Sequence, residues 1–254
     1  MSSARQSAIW QVQTRQILLP KSGFESSECE DSIGSDEQNC RFAVADGATE
    51  AFDAGNWAQR LAQNWVRSDS ALTPETFHEW VASEGQALHS SWKQLTLPWY
   101  AEEKARKGSF AAFVGVELDL RTEQPEWNAI ALGDACLLHC RAGVLLKSFP
   151  LSNSASFNSA PLLVASDPAI YKTSEQSLVI DSGSCENNDV LFLVSDAAAA
   201  WYLERFEQND FADVFENREP DALAEFFENE RQAGRIRNDD IAVMRLEVQQ
   251  RSIS

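Results

Sequence analysis

Aspartates recur at the ends of apolar stretches in this sequence of 254 residues. Four of them stand at corresponding places: Asp46 ends FAVAD, Asp134 ends IALGD, Asp196 ends LFLVSD, and Asp239 opens DDIAVMRL. A carboxylate at the end of a buried strand is costly to desolvate unless a cation or hydrogen-bond donors meet it. In an antiparallel arrangement these four side chains would come to the same edge of the sheets. We therefore predict a concentrated acidic site.

The chemistry of such a site follows from its charge. Mutual repulsion would raise the pKa values of the carboxyl groups or separate them, unless cations neutralise them. Oxygen ligands without convergent His or Cys favour hard ions, so we expect Mg²⁺ or Mn²⁺. Two such ions about 3.5–4 Å apart can share a bridging carboxylate and activate a water for attack on a phosphate ester. Each aspartate alone is more often a turn residue or a helix N-cap, but their coincidence favours a joint site.

The elements that must position these aspartates can be read from the spacing of apolar residues. Helical spacing predicts a helix over residues 54–67, and Thr73 followed by Pro74 predicts the start of a second helix. Short runs rich in Val, Leu, Ile and Phe then predict strands: SFAAFVGVEL, EWNAIALGD, ACLLHC, VLLKSF, DVLFLVSD and DDIAVMRLEV. AAAAWYLERF and DALAEFFENERQAGR are helical in pattern. Runs of strands with paired helices at each end predict an α+β sandwich.

Composition limits the possible functions. Apolar residues make up 44% and charged residues 24% of the chain, which is the balance of a globular protein with a sizeable core. The formal charge of −18 argues against a DNA or RNA partner, because such binding depends on Lys/Arg clusters. No secretory leader or membrane span is apparent, so we expect a cytoplasmic protein that does not bind membranes.

The five cysteines form an odd set without the spacing of a disulfide framework, which fits a reducing compartment. Cys136 and Cys140 flank His139 in ACLLHC, and their even spacing would place both on one face of a strand. We predict small buried side chains at these positions and leave zinc binding as the less favoured alternative.

The ordered motifs of the chain resemble those of a known family. They are ECED (28–31), FAVADGA (42–48), GSFAAFVGVEL (108–118), ALGDACLLHCRAG (131–143), VLFLVSDA (190–197) and RNDDIAV (237–243). This series, from about Ile17 to Val248, resembles the metal-dependent PPM/PP2C Ser/Thr protein phosphatases of bacterial type. The resemblance implies a four-layer αββα sandwich with two packed antiparallel sheets, as a single domain over residues 1–254. It also implies a flap-like insertion at about 150–170.

The resemblance further implies roles for individual residues. Asp46 would bridge two ions and Gly47 would offer its carbonyl, while Asp196 and Asp239 would bind the first ion. Glu30 and Asp31 would serve the second ion, and a third ion in some members would use Asp134 with Asp196. Asp46, Asp196 and Asp239 are therefore the catalytic residues that we predict, with Mg²⁺ or Mn²⁺ as cofactor.

Three motifs depart from the family pattern. The family's SDG is Ser195-Asp196-Ala197 here, and DGxGG is DGATE. The arginine that meets substrate phosphate in many members is missing from GFESSECED at 23–31. The candidates for its role are Arg15, Lys21 and Arg41, and the sequence does not choose among them.

The activity implied is hydrolysis of phosphoserine and phosphothreonine in a phosphorylated protein substrate by a metal-activated water. Two alternatives stay open. One is a catalytically weak regulatory module that binds a partner or a phosphopeptide, which the missing arginine and the altered glycines would suit. The other is a hydrolase of a small phosphorylated metabolite. The sequence does not predict the oligomeric state.

Overall fold

Two antiparallel sheets packed face to face form the centre of the molecule. The computed structural model describes residues 9–68, 73–157, 161–174, 177–210, 215 and 218–251. Among them, the strands of the first sheet are, in spatial order, β1 (Ile9–Leu19), β11 (Ile241–Arg251), β10 (Asp189–Val194), β6 (Cys136–Arg141) and β7 (Val144–Phe149). The second sheet orders β2 (Asp31–Asp36), β3 (Arg41–Gly47), β4 (Phe110–Asp119), β5 (Glu126–Leu132) and β9 (Val179–Ser184), with β8 (Val164–Ala165) paired to the start of β4.

Helices cover the outer faces of both sheets. Those described are α1 (Ala54–Trp65), α2 (Pro74–Trp92), α3 (Trp99–Lys107), α4 (Pro168–Ser174), α5 (Asp196–Glu207) and α6 (Pro220–Gln232). The apolar faces of α1 and α2 pack on β3, β4 and β5, whereas α5 and α6 pack on β6, β10 and β11. The order of layers is therefore helix, sheet, sheet, helix, and the predicted αββα sandwich is confirmed.

Alternation of side chains along the strands builds the three apolar layers. On β3, Phe42 and Val44 face the opposite sheet, while Ala43 and Ala45 face α1. The small alanines let α1 lie close to the strand that carries Asp46. Strand β10 is buried on both faces, which explains why its sequence is continuously apolar from Val190 to Val194.

The sequence predicted most of these elements. Thr73 caps α2 as expected, since its hydroxyl accepts a hydrogen bond from the Thr76 amide. Cys136 and Cys140 are both buried under the layer of α5 and α6, as predicted, and all five cysteines are free thiols. Six elements were not predicted: β1, β2, β8, β9, α3 and α4. They are short or combine polar and apolar residues without a clear period.

The 150–170 segment contains a short 3₁₀ turn at Ser154–Ser156, strand β8 and the beginning of α4, and residues 158–160 lie outside the described ranges. The turn is fixed to α5, because the amide and hydroxyl of Ser154 both donate to the Glu207 carboxylate. The flap-like insertion stays a prediction. No described helix has the length and apolar character that a membrane span requires.

Candidate metal centre

The pairing of the strands brings the predicted aspartates to one end of the sandwich. Asp31 and Asp46 stand directly opposite each other in the β2–β3 pair. On the other sheet, Val194 at the end of β10 pairs with Val243 in β11, so Asp196 and Asp239 flank the same edge. These positions follow from antiparallel pairing, as the sequence predicted.

Asp134 reaches this edge from the turn between β5 and β6. Gly133 in that turn has a φ of 107°, and a Cβ there would lie 2.6 Å from Cβ of Ala112. Only glycine satisfies both the positive φ and the close approach to β4. The turn therefore holds Asp134 next to the strand that pairs with β3.

Gly47 is enclosed by the segments on both sides of it. Its amide donates a hydrogen bond to the Glu30 carbonyl at 3.2 Å. A Cβ at Gly47 would lie 2.8 Å from the carbonyl oxygens of Glu30 and Ala54. The glycine of the DG pair thus lets the Glu30 segment, the end of β3 and the start of α1 meet.

Burial and like charges act together on the innermost carboxyl groups. Burial raises the pKa of Asp46 well above its usual range, and the nearby Asp31, Asp196, Asp134 and Asp239 raise it further. Burial likewise raises the pKa of Asp134 to about 7, with Asp196 as the next contributor. Carboxylates that are distant in the sequence therefore lie close enough to repel one another.

Asp31 shows most clearly that a carboxylate oxygen of this cluster lacks a partner within the described part of the chain. Burial and the charges of Asp240, Asp196 and Asp239 raise its pKa well above the usual value, against a hydrogen bond from Ser195 that lowers it. Its Oδ2 is buried and has no hydrogen-bond partner among the described residues. An unpartnered carboxylate oxygen in an all-oxygen cluster fits a hard divalent cation. The residues present therefore suit the ions that the resemblance implies.

Of the three candidate cations, Lys21 lies at this site. Its Nζ is 3.3 Å from Asp239 Oδ1, 3.5 Å from Glu30 Oε2 and 2.7 Å from Thr49 Oγ1. Burial by itself lowers the pKa of Lys21, but Asp239 and Asp240 raise it above its usual value, so the ammonium stays charged.

Arg15 and Arg41 lie elsewhere. Arg15 is in the middle of β1, opposite Arg245, and its guanidinium is 3.0 Å from Glu219. Arg41 begins β3 at the opposite end from Asp46, and its guanidinium lies over the Trp65 ring at 4.1 Å. The sequence left these alternatives open because it did not show which strand end each residue would occupy.

The sequence assigned no role to two residues at the site. Asp240 is buried and accepts hydrogen bonds from the amides of Lys21 and Glu30, at 2.8 Å and 2.9 Å. Arg237 contacts the Asp196 carboxylate and lies 3.9 Å from Asp239. A signal was available for both, because they stand within RNDD next to a predicted ligand.

Ala197, which replaces the glycine of SDG, is accommodated by helix α5. The helix begins at Asp196, so Ala197 occupies a helical position that requires no positive φ. Ser195 precedes the helix in an extended conformation, and its hydroxyl accepts a hydrogen bond from the Ala242 amide at 2.9 Å. The position of Asp196 therefore does not depend on glycine.

A second group of metal-ligand residue types lies elsewhere in the fold. Potential ligand atoms of His139, Cys185 and Asp189 fall within 4.8 Å of one another. Arg141, the Glu186 amide and His139 already donate to the Asp189 carboxylate. Burial and Asp189 raise the pKa of the Cys185 thiol to about 12, so the thiolate that a metal needs is disfavoured. We interpret this group as a structural network.

No family model and no curated protein matches this sequence. Solved structures match over nearly the whole chain. PppA, a key regulatory component of T6SS in Pseudomonas aeruginosa, is 13% identical with a TM-score of 0.60, over 96% of this chain and 100% of that one. The catalytic domain of the Ser/Thr protein phosphatase PstP, in complex with two manganese ions, is 12% identical with a TM-score of 0.60, over 95% and 99%.

The PP2C phosphatase domain of SpoIIE from Bacillus subtilis, solved with a fragment of its regulatory domain, is a third match. It is 13% identical with a TM-score of 0.54, over 96% of this chain and 65% of that one. The molecule therefore has the fold of the PP2C-type Ser/Thr phosphatases. The aspartate cluster lies at one end of this sandwich.

Proposed function

We propose that this chain is a metal-dependent phosphatase that hydrolyses phosphoserine and phosphothreonine in proteins. The observation that carries the proposal is that aspartates from distant segments meet at one end of the sandwich, where Asp31 stands opposite Asp46. Burial, followed by the charges of the neighbouring aspartates, raises the pKa of Asp46 well above its usual range. The fold supports it, since PstP is a Ser/Thr protein phosphatase with two manganese ions. A cytoplasmic location and the exclusion of nucleic-acid and membrane partners stay predictions from the sequence.

The residues proposed to hold the ions follow the sequence predictions. Asp46 would bridge two ions, with Asp196 and Asp239 on the first and Glu30 and Asp31 on the second. The Gly47 carbonyl would join them, and Asp134 with Asp196 would take a third ion. When bound, Mg²⁺ or Mn²⁺ would act as a Lewis acid that neutralises phosphate charge and lowers the pKa of water.

The surrounding residues fix the ligands before any ion binds. Asp240 holds the backbone of the Glu30 segment through the Glu30 amide. Ser195 joins the two sheets, because it accepts from the Ala242 amide and hydrogen-bonds to Asp31. Such support limits reorganisation during the reaction, which is how preorganised polar sites accelerate it.

A second candidate function is a regulatory module that binds phosphopeptides with little turnover. The ion pairs of Lys21 with Asp239 and of Arg237 with Asp196 favour it, because each would compete with an ion for a predicted ligand. The two candidates differ in turnover, whereas both allow phosphate binding.

The test is Mn²⁺-dependent release of phosphate from p-nitrophenyl phosphate and from phosphothreonine peptides. We expect Asp46→Asn and Asp239→Asn each to lower kcat/KM by at least about a thousandfold, since metal-ligand interactions contribute several kcal/mol to the transition state. Asp181→Asn is the control, because Asp181 lies on β9 and pairs with Lys147 at 2.6 Å.

Activity that persists in both site variants, or that survives strong chelation, would contradict the proposal. Mn²⁺ binding by the wild type without turnover of either substrate would favour the regulatory candidate. Turnover restricted to small phosphorylated metabolites in a wider substrate panel would identify the protein as a hydrolase of such metabolites.

A further inference from the structure

Arg237 is the cationic side chain that approaches the aspartate cluster from the side of α5. Its Nη2 makes the closest approach to both Asp196 and Asp239. Burial disfavours the charged guanidinium, but Asp196, Asp239 and Asp46 outweigh this effect and raise the pKa of Arg237. The guanidinium therefore faces the same carboxyl groups that are proposed to hold the ions.

Arg237 differs from Lys21 in the donors that it has left to offer. The Lys21 side chain is 17% exposed, and its ammonium is surrounded by Thr49, Glu30 and Asp239. The Arg237 side chain is 50% exposed, and its Nε and Nη1 donate no hydrogen bond to any described residue. A ligand that enters from outside therefore finds free donors on Arg237.

There is space for such a ligand beside Arg237. A cavity of about 340 Å³ lies between α5 and the turn at Ser154–Ser156, and Ala197, Trp201, Phe157 and Arg237 contribute to its lining. Ala197 follows Asp196 directly, so the cavity adjoins the aspartate cluster.

We propose that Arg237 binds the phosphate group of the substrate and so takes the role that the arginine-free segment 23–31 does not fill. The inference rests on the proposed function. A guanidinium presents a planar fork of donors that matches two phosphate oxygens, and it remains charged at any pH of interest. Ions bound by Asp196 and Asp239 would weaken the electrostatic attraction between these carboxylates and Arg237. The guanidinium would then be available to bind the phosphate group.

The competing interpretation is that Arg237 serves only as a counter-ion to Asp196. In that case its removal would strengthen ion binding and leave phosphate affinity unchanged. In our interpretation its removal weakens phosphate binding at saturating Mn²⁺. The two interpretations therefore differ in a binding measurement that needs no turnover.

The experiment is calorimetric titration of inorganic phosphate into protein saturated with Mn²⁺. We expect Arg237→Gln to raise the phosphate Kd by about 10- to 100-fold, the factor that corresponds to one charge-assisted hydrogen-bonded contact. Arg237→Lys should give a smaller increase, because an ammonium keeps the charge without the bidentate geometry. The KM for p-nitrophenyl phosphate should rise by a similar factor.

Arg235→Gln is the matched control. Its side chain is also 50% exposed, comes from the same loop and lines the same cavity, but its Nε and Nη2 already donate to Glu230. We expect this variant to stay within about twofold of the wild type in phosphate Kd. Thermal unfolding of each variant with and without Mn²⁺ confirms that the fold and the ion site are retained.

An unchanged phosphate Kd in Arg237→Gln would overturn the inference, as would a wild type that binds Mn²⁺ but no phosphate. Tighter Mn²⁺ binding combined with unchanged phosphate affinity would establish the counter-ion role instead. A wild type without Mn²⁺-dependent turnover would remove the proposed function, while the phosphate titration would still decide the role of Arg237.

Discussion

Carboxyl groups lie at both ends of β10, and their surroundings differ. Asp189 begins the strand, where Arg141 Nε donates to Oδ1 at 2.7 Å and Nη2 donates to Oδ2 at 2.8 Å. Asp196 follows the strand and joins Asp31 and Asp46, which influence one another as like charges. The Asp189 carboxylate is fully hydrogen-bonded from within the protein. At the other end Arg237 contacts Asp196, but the buried Oδ2 of Asp31 has no hydrogen-bond partner among the described residues.

The pKa values record this difference. Burial raises the pKa of Asp189, but the hydrogen bonds from Arg141, the Glu186 amide and His139 outweigh burial and bring it below its usual value. At the other end, burial and like charges both raise the pKa of Asp46. A buried acid with several internal donors is a structural element, whereas a buried acid surrounded mainly by other acids is a candidate for an external cation.

The largest effect on the free energy of unfolding is expected from replacing Asp189 at the start of β10. Asp189→Asn removes the charge between Arg141 and His139, so we expect the free energy of unfolding to fall by about 3 kcal/mol or more. Urea unfolding of the chelated protein measures this change. Asp181→Asn, which removes a partly exposed carboxylate on β9, should change it by less than about 1 kcal/mol. Equal effects of the two variants would contradict the interpretation of the Asp189 network.

The same network predicts a dependence on pH. Because the pKa of Asp189 is lower in the folded state, its contribution is complete above the unfolded pKa of about 3.9 and is lost as the pH falls through the folded pKa. The difference in unfolding free energy between wild type and Asp189→Asn should therefore be full at neutral pH and narrow below about pH 4. A difference that stays constant to pH 2 would contradict this prediction.

The next effect concerns Asp46 in the aspartate cluster. At 100 times its Kd, Mn²⁺ should stabilise the wild type by about 2.7 kcal/mol through binding to the folded state. Asp46→Asn should gain little from the ion. In the chelated protein the order reverses: Asp46→Asn should exceed the wild type by about 1 kcal/mol, because a raised pKa marks a carboxylate that opposes folding. Thermal unfolding with Mn²⁺ and with EDTA measures the stability difference between wild type and Asp46→Asn under each condition.

The smallest effect compares two buried serines. Ser195→Ala leaves the Ala242 amide without its partner and should lower the unfolding free energy by about 1 kcal/mol. Ser109→Ala is the control, because the buried Ser109 hydroxyl has no hydrogen-bond partner among the described residues. Its replacement should be neutral or stabilising, and urea unfolding at neutral pH compares the pair.

The sequence predicted those parts of the fold in which one local pattern decides the outcome. Strand β10 is apolar on both faces, and α1 has a single apolar stripe, so each could be recognised from its own residues. Strand β1, with Gln, Thr and Arg between its apolar positions, depends on pairing with β11. Helix α3 buries no residue fully, so no apolar period marked it.

The same limit applies to the site. The aspartates were predicted because each ends or begins an apolar run. Asp240 was assigned no role because that role depends on the amides of Lys21 and Glu30, more than 200 residues away in the chain. The choice between Lys21 and Arg41 likewise required the direction of β3, which places Arg41 at the opposite end from Asp46.

The pairing of β1 with β11 has a consequence for biosynthesis. The two strands are in register from Ile9 opposite Arg251 to Leu19 opposite Ile241, so the first sheet is closed by strands from both ends of the described chain. Polypeptides emerge from the ribosome with the N-terminus first, and contacts of such long sequence separation form slowly. The nascent β1 must therefore wait until β11 has been translated, and a stalled product that lacks β11 would leave β10 without the neighbour that covers its edge.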